Sequence, residues 1–262
     1  MARVRGEVST ELNKFLTEQG QYLNSIGIEL DPVTNAIKSF LLDGGKRFRP
    51  LFAYVGYLAA GGPEDKSVLK AVSSLELLHA CALIHDDVMD GSSIRRGEST
   101  VHVTFDADHQ ESAWSGEARR FGEGIAILIG DLAEVYADRL MSNAPAAAFE
   151  VWNELKIELN IGQFLDVLGA ARGGVDLQTA RRIVRYKSGK YTIERPLHVG
   201  AALAGRLDEL EEPLAHYGEP LGEAFQLRDD ILGTFGDTAR TGKPVGDDLR
   251  EGKPTPILAV AH

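Results

Sequence analysis

The sequence is poor in cysteine, because Cys81 is its one cysteine among 262 residues. No internal disulfide can form, and a chain of this kind suits a reducing compartment. Basic residues are also scarce: 28 lysines and arginines stand against 39 aspartates and glutamates, a net charge of −11. Because nucleic-acid-binding domains need a basic face, we expect no nucleic acid partner. A local cluster of cations could still hold a phosphorylated small molecule.

Long apolar runs are missing as well. No stretch approaches the roughly 18 apolar residues that a membrane span requires. The opening residues, MARVRGEVSTEL, carry basic side chains without the apolar run of a secretory signal. We therefore expect a cytoplasmic protein without a membrane span.

Strand patterns are almost absent. TVHVTF, residues 100–105, is the one candidate strand, and the polar residues 106–120 form the longest predicted loop. Residues 66–90 lack Gly and Pro and are apolar on more than one face, which predicts a largely buried helix. The other predicted helical segments are 34–43, which stops at Gly44 and Gly45, 124–141, 146–170, 178–205 and 212–236. With 44% hydrophobic residues and no low-complexity linker, residues 1–262 are predicted to form one all-α domain.

Carboxylates gather at the ends of two apolar segments. Asp86, Asp87 and Asp90 follow the first, where helical spacing places Asp86 and Asp90 on one face. Asp229 and Asp230 follow the second. Like charges this close repel each other unless they are fully solvated or bind a cation. Because no Cys or His group has zinc spacing, oxygen-only donors favour a hard cation, Mg²⁺.

Cationic side chains recur in short segments where phosphates on such a metal would lie. Arginine forks and lysine point charges suit two polyanionic ligands, one on the metal and one on the basic groups. The sequence contains no Walker phosphate loop and no convincing Ser-His-Asp or Cys-His arrangement. The cations are Lys46, Arg47, Arg49, Arg95, Arg96, Lys187, Lys243 and Lys253.

Five segments, taken in order, resemble the trans-polyprenyl diphosphate synthases, the family that includes farnesyl and geranylgeranyl diphosphate synthases. They are GGKRFRP, HDDVMDGSSIRRG, KSGKYTIERPL, FQLRDDILGTFGD and TGKPVGDDLREGKPT, within about residues 35–258. The resemblance implies an isoprenoid synthase helical bundle around a deep central cavity, usually as a homodimer. It also implies Mg²⁺-dependent condensation of isopentenyl diphosphate with an allylic diphosphate, namely dimethylallyl, geranyl or farnesyl diphosphate.

The resemblance assigns a role to each motif position. Asp86, Asp90 and Asp229 would bind Mg²⁺, with Asp87 and Asp230 beside them. The side chains facing the allylic diphosphate would be Arg95, Lys187, Ser188, Gln226, Lys243 and Lys253. Those holding isopentenyl diphosphate would be Lys46, Arg49, His79 and Arg96. The catalytic set would therefore be Asp86, Asp87, Asp90, Arg95, Lys187, Gln226, Asp229 and Asp230.

Two small side chains, Cys81 and Ala82, lie one turn before Asp86. In the family, bulky side chains at this turn stop growth of the prenyl product early. A tail that passes this turn would stop at Leu78 or lower, roughly 5.4 Å further along the helix. That length is about one isoprene unit, so geranylgeranyl diphosphate is the expected product, with farnesyl or longer diphosphates as alternatives.

Two departures from the family pattern stand out. Gly233 occupies the position where many members carry a third aspartate. The helices that usually follow a segment like KPTPILAV are missing, so we expect a truncated chain. A terpene cyclase or head-to-head prenyl synthase is an alternative, although neither needs GGKRFRP or His79. A non-catalytic subunit of a heteromeric prenyltransferase is another, although it predicts damaged aspartate motifs.

Overall fold

The computed structural model describes residues 1–42, 45–236, 246 and 252–261, and helices dominate them. The α-helices are α1 Ala2–Ile26, α2 Asp31–Leu42, α3 Phe48–Ala59, α4 Ser67–Asp90, α5 Val101–Glu111, α6 Ala118–Met141, α7 Ala146–Ala171, α8 Leu177–Val184, α9 Arg195–Leu203, α10 Leu207–Phe235 and α11 Pro256–Ala261. A 3₁₀ helix, Ile28–Leu30, precedes α2, and a π-helix, Arg185–Glu194, joins α8 to α9. Strands β1 Ile94–Arg95 and β2 Glu98–Ser99 form a short antiparallel hairpin. The predicted all-α class is confirmed.

The chain divides into two compact units. The first unit comprises Met1–Leu51 and Asp65–Asn143, and the second comprises Phe52–Glu64 and Ala144–His262. The organisation as one domain stays a prediction.

Helix α4 is the core helix of the first unit. It packs against α6 and α1, and Leu75, Leu77 and Ile84 are completely enclosed. Among the described residues it is the one helix long and apolar enough to cross a membrane, but 72% of its apolar window is buried inside the protein. This burial explains why its sequence is apolar on more than one face.

Helix α5 corrects two predictions, the strand at 100–105 and the loop that begins at 106. Its residues pack along α6, where His102 and His109 are buried. A Cβ atom at Gly122 of α6 would lie 2.2 Å from the His102 carbonyl oxygen, so the two helices approach closely there. Tertiary packing therefore overrides the local pattern, and the loop shrinks to residues 112–117.

In the second unit, the π-helix packs against both α7 and α10. The single helix predicted over 178–205 is thus three consecutive segments, α8, the π-helix and α9. Helix α10 continues through Pro213 and Pro220 to Phe235, and α11 packs on α8. This arrangement places KSGK in the π-helix and FQLRDD near the C-terminal end of α10.

Candidate active site

The carboxylates at the end of α4 gather around one arginine. Gly91, with φ +66°, ends the helix, and the β1–β2 hairpin folds back toward it. Arg95 Nε on this hairpin donates to both oxygens of Asp87, at 2.7 and 2.8 Å. Arg95 Nη2 lies 3.5 Å from Asp86 Oδ2. Burial acts to lower the pKa of Arg95, but Asp87, Asp86 and Asp90 raise it above its usual value.

Asp86 and Asp90 remain on one face of α4, while the Asp87 carboxylate is held by Arg95. A pair of carboxylates with oxygen donors only suits a hard cation such as Mg²⁺, which usually keeps waters and takes phosphate oxygens as further ligands. Within the described ranges, no three His, Cys, Asp or Glu side chains converge into a fuller ligand set. The residues present therefore fit a metal held by two protein ligands and completed by other oxygens.

A group of arginines lies near His79, which is about three turns before the end of α4. Burial lowers the pKa of His79 well below 6.5, and nearby arginine charges lower it further, so its imidazole is neutral at pH 7. These arginines are Arg49, Arg96, Arg95 and Arg47. Four positive charges around a neutral ring attract an anion such as a diphosphate.

The other predicted residues of this cationic group lie close to aromatic rings. Lys46 is exposed, with Nζ 5.6 Å from the centre of the Phe48 ring. The Arg96 guanidinium lies 5.6 Å from the Phe40 ring, and its Nη1 donates to the Phe40 carbonyl oxygen at 3.3 Å. The charges of Arg49 and Arg96 also act on His79. The role of these three residues toward isopentenyl diphosphate stays a prediction.

Arg47 has a structural role that the sequence did not reveal. Its guanidinium pairs with Glu76 of α4 at 2.6 Å, and both side chains are only 5% exposed. It also donates to the Leu41 carbonyl oxygen at the end of α2. Arg47 thus ties the segment that carries Lys46 to α2 and α4. A glutamate inside an otherwise apolar helix was the available signal for this pair.

In the second unit, the predicted cation and amide both contact carboxylates. Lys187 Nζ in the π-helix donates to Asp166 Oδ2 of α7 at 2.5 Å. Gln226 Nε2 donates to Asp230 Oδ1 at 2.8 Å, one turn later on α10. Asp230 is buried, whereas Asp229, the predicted metal ligand, is exposed. The sequence prediction missed Asp166, although its carboxylate directly positions Lys187.

Three predicted residues have fewer described contacts. Ser188 is partly buried beside Lys187 in the π-helix. Lys253 is also partly buried, and the next residue, Pro254, lies over Gly169 of α7. Lys243 lies outside the described residues.

The side chains expected to set product length differ in exposure. Cys81 and Leu78 are buried, whereas Ala82 is partly exposed. Cys81 Sγ lies 3.7 Å from His85 Nδ1, and His85 Nε2 lies 3.0 Å from the Ile127 carbonyl oxygen of α6. Cys81 therefore lies on the side of α4 that faces α6, away from the face shared by Asp86 and Asp90.

Known proteins resemble the chain over nearly its full length. The Polyprenyl synthetase family model matches residues 31–262. The geranylfarnesyl diphosphate synthase of Aeropyrum pernix is 35% identical over 91% of this chain and 73% of its own length. The geranylgeranyl diphosphate synthase of Sulfolobus acidocaldarius is 34% identical over 82% of this chain and 62% of its own length.

One solved structure is especially similar: the geranylgeranyl pyrophosphate synthase from Corynebacterium glutamicum, crystallised with isoprenyl diphosphate and magnesium. It is 42% identical, with a TM-score of 0.93 over 99% of this chain and 76% of that one. These similarities agree with the helical fold and with the family that the five motifs indicate. The chain belongs to the polyprenyl synthetase family, whose members are prenyl-transferring enzymes.

Proposed function

We propose that this chain is a Mg²⁺-dependent synthase that condenses isopentenyl diphosphate with an allylic diphosphate to form geranylgeranyl diphosphate. The position of Arg95 carries the proposal. Arg95 contacts Asp87 at the end of α4, and its charge also acts on His79. A paired carboxylate site and a cationic site therefore adjoin within one unit, as two diphosphate substrates require.

The residue types suit ionisation of an allylic diphosphate. Mg²⁺, when bound by Asp86 and Asp90, would neutralise charge on the departing diphosphate. Arg95 would donate hydrogen bonds to this diphosphate. Lys187 and Gln226 are assigned to the allylic diphosphate by their positions in the family motifs. Lys46, Arg49, His79 and Arg96 would hold isopentenyl diphosphate. The apolar faces of α4 and its neighbours would keep water from the allylic cation.

The product test uses the intact chain with isopentenyl diphosphate, farnesyl diphosphate and Mg²⁺, followed by identification of the prenyl chain. We expect geranylgeranyl diphosphate. A cyclic or head-to-head product would favour the alternative enzyme classes. Absence of any prenyl product would favour the non-catalytic subunit, and a longer or shorter diphosphate would correct the product alone.

The two-site division has its own test. Replacing Lys46 or Arg49 by alanine should raise the KM for isopentenyl diphosphate much more than the KM for farnesyl diphosphate, because only the former contacts these cations. Equal changes in both constants would contradict the division.

Product length depends on the turn before Asp86. Because Cys81 is enclosed against His85, a phenylalanine there would also disturb packing. Ala82→Phe is the cleaner variant, since Ala82 is partly exposed. It should shift the main product toward farnesyl diphosphate, and an unchanged product would remove this face from the tail site.

We also propose that the chain acts in the cytoplasm as a homodimer, without a membrane span or nucleic acid partner. The acidic composition and the burial of α4 support this setting. Light scattering coupled to size-exclusion chromatography tests the dimer, and a monomeric mass across the working concentration range would contradict it.

A further inference from the structure

The π-helix packs between α7 and α10, and each of these helices contacts it closely at a glycine. A Cβ atom at Gly162 of α7 would lie 2.3 Å from the Lys187 backbone nitrogen. On the other side, a Cβ atom at Gly222 of α10 would lie 2.7 Å from the Gly189 Cα. No side chain separates either pair of backbones. The path of the main chain at Lys187 is therefore set by direct contact with its neighbours.

Four charged side chains form a buried ionic quartet beside this contact: Glu158, Lys190, Glu194 and Arg195. Glu158 accepts from Lys190 Nζ at 2.5 Å and from Arg195 Nε at 2.6 Å. Lys190 Nζ also lies 3.3 Å from Glu194 Oε1. The four side chains are between 5% and 12% exposed. Burial acts to raise the pKa of Glu158, but the hydrogen bonds from Arg195 and Lys190 lower it below its usual value.

The quartet is aligned with the predicted substrate contact. Glu158, Gly162 and Asp166 are spaced four residues apart, so they lie along one face of α7. This face binds Lys190 at its first position, meets the Lys187 backbone at its second and accepts from Lys187 Nζ at its third. Because a buried charge is tolerated only beside its partner, Glu158 allows Lys190 and Arg195 one arrangement.

The ties from Glu158 act on an unusual element, the π-helix. π-helices are rare, and where they occur they frequently mark functional sites. Glu158 holds both Lys190 within the π-helix and Arg195 at the start of α9. Glu158 therefore holds the C-terminal end of the π-helix in place, while the close contact at Gly162 sets the position of the Lys187 backbone.

We propose that Glu158 is a positioning residue for the allylic diphosphate: through Lys190 and Arg195 it keeps the π-helix in the register that presents Lys187 and Ser188. The inference rests on the proposed function, which assigns those two residues to that substrate. Glu158 itself makes no contact with the substrate. Its effect should appear in the binding of one substrate and not the other.

The experiment compares Glu158→Gln with Glu219→Gln in the intact protein. Glu219 of α10 pairs with Arg185, the first residue of the π-helix, but both side chains are more than 40% exposed, at 42% and 45%. The same chemical change is thus made at a buried and an exposed contact with one segment. KM for farnesyl diphosphate, KM for isopentenyl diphosphate and the thermal unfolding midpoint are measured for each variant.

Glu158→Gln should raise the KM for farnesyl diphosphate about tenfold or more, because displaced binding groups cost that much, and leave the KM for isopentenyl diphosphate unchanged. Glu219→Gln should change neither constant. A double variant, Glu158→Met with Lys190→Met, separates positioning from stability, because it removes one charge of each sign and leaves the charges of Glu194 and Glu154 acting on Arg195. It should recover the unfolding midpoint but keep the raised KM.

Two results would overturn the inference. One is an unchanged KM for farnesyl diphosphate in Glu158→Gln. The other is a double variant that recovers this KM together with the midpoint, which would make the quartet purely structural. If Glu158→Gln does not fold, the double variant decides alone. A wild-type chain that makes no prenyl product would instead overturn the proposed function, and this inference with it.

Discussion

The two units present their candidate substrate contacts on different kinds of backbone. In the first unit, Arg47 and Arg96 lie in short connections and adopt left-handed backbone angles, with φ of 55° and 56°. In the second unit, Lys187 and Gln226 lie inside continuous helical structure. Locally strained connections depend on individual side-chain ties, whereas the helical positions depend on close packing between helices as well as on such ties.

The hairpin of the first unit illustrates the strained case. Arg95 pairs with Glu98, so Arg96 and Gly97 form a two-residue loop, and both have positive φ. Such a loop favours Asn-Gly, because a longer side chain is strained in the left-handed region. An arginine here gives up backbone stability in exchange for a cation near His79.

The largest expected effect is a loss of turnover from substitutions at the end of α4, where the reaction should take place. Asp86→Ala or Asp90→Ala should lower turnover by several orders of magnitude, because each 1.4 kcal/mol of lost stabilisation costs about tenfold. Circular dichroism should show an intact fold. Near-normal turnover with Mg²⁺ present would remove both residues from the metal site.

The tie that holds the first unit's strained loop should show the next largest effect. Glu76→Gln leaves Arg47 without its buried counter-charge and should lower the free energy of unfolding by about 3 kcal/mol. Glu123→Gln is the matched control, since Glu123 pairs with an Arg119 that is 76% exposed, and it should cost less than about 0.5 kcal/mol. Urea denaturation measures both, and equal losses would contradict the assigned role of the buried pair.

Alanine substitutions at glycine test how far the stability of the second unit depends on close packing between its helices. Gly162→Ala should destabilise the protein by about 2 kcal/mol, because its methyl group would press on the Lys187 backbone. Gly124→Ala in α6 has open space around the new methyl and should stabilise by about 0.5 kcal/mol or more. Chemical denaturation of the two variants should therefore give shifts of opposite sign, and shifts of the same sign would argue against the glycine contact.

The smallest expected effect concerns the hairpin loop. Arg96→Asn should raise the free energy of unfolding by up to about 1 kcal/mol, because asparagine tolerates the left-handed conformation. The same variant should raise the KM for isopentenyl diphosphate, since one cation near His79 is lost. Thermal melting and steady-state kinetics measure the two changes. A less stable Arg96→Asn protein would mean that the contact with Phe40 outweighs the backbone strain.

The sequence predicted the long helices α4, α6, α7 and α10, because their apolar residues follow helical spacing over many turns, but it named no helix where α1 lies. It failed at α5, where TVHVTF has the alternation of a strand and packing against α6 decides the structure. It also failed at the π-helix, because the apolar spacing of a segment of ten residues does not distinguish a π-helix from an α-helix.

For the candidate site, the motifs in the sequence alone point to Asp86, Asp90, Arg95 and His79. Their buried partners were not found. Glu76, Glu158 and Asp166 each look like an ordinary polar residue of a helix until its cationic neighbour is known. Because those neighbours come from distant parts of the sequence, only the folded chain reveals them.

The π-helix makes the length of one segment as important as its composition. Deleting a single residue between Lys187 and Arg195 would rotate the side chains on one side of the cut relative to those on the other, because each residue of a helix advances the chain around the axis, by about 100° in an α-helix. Lys187 and Arg195 could then no longer both meet the same face of α7. Substitutions in this segment change individual contacts, whereas an insertion or deletion would change the phase of the whole helix.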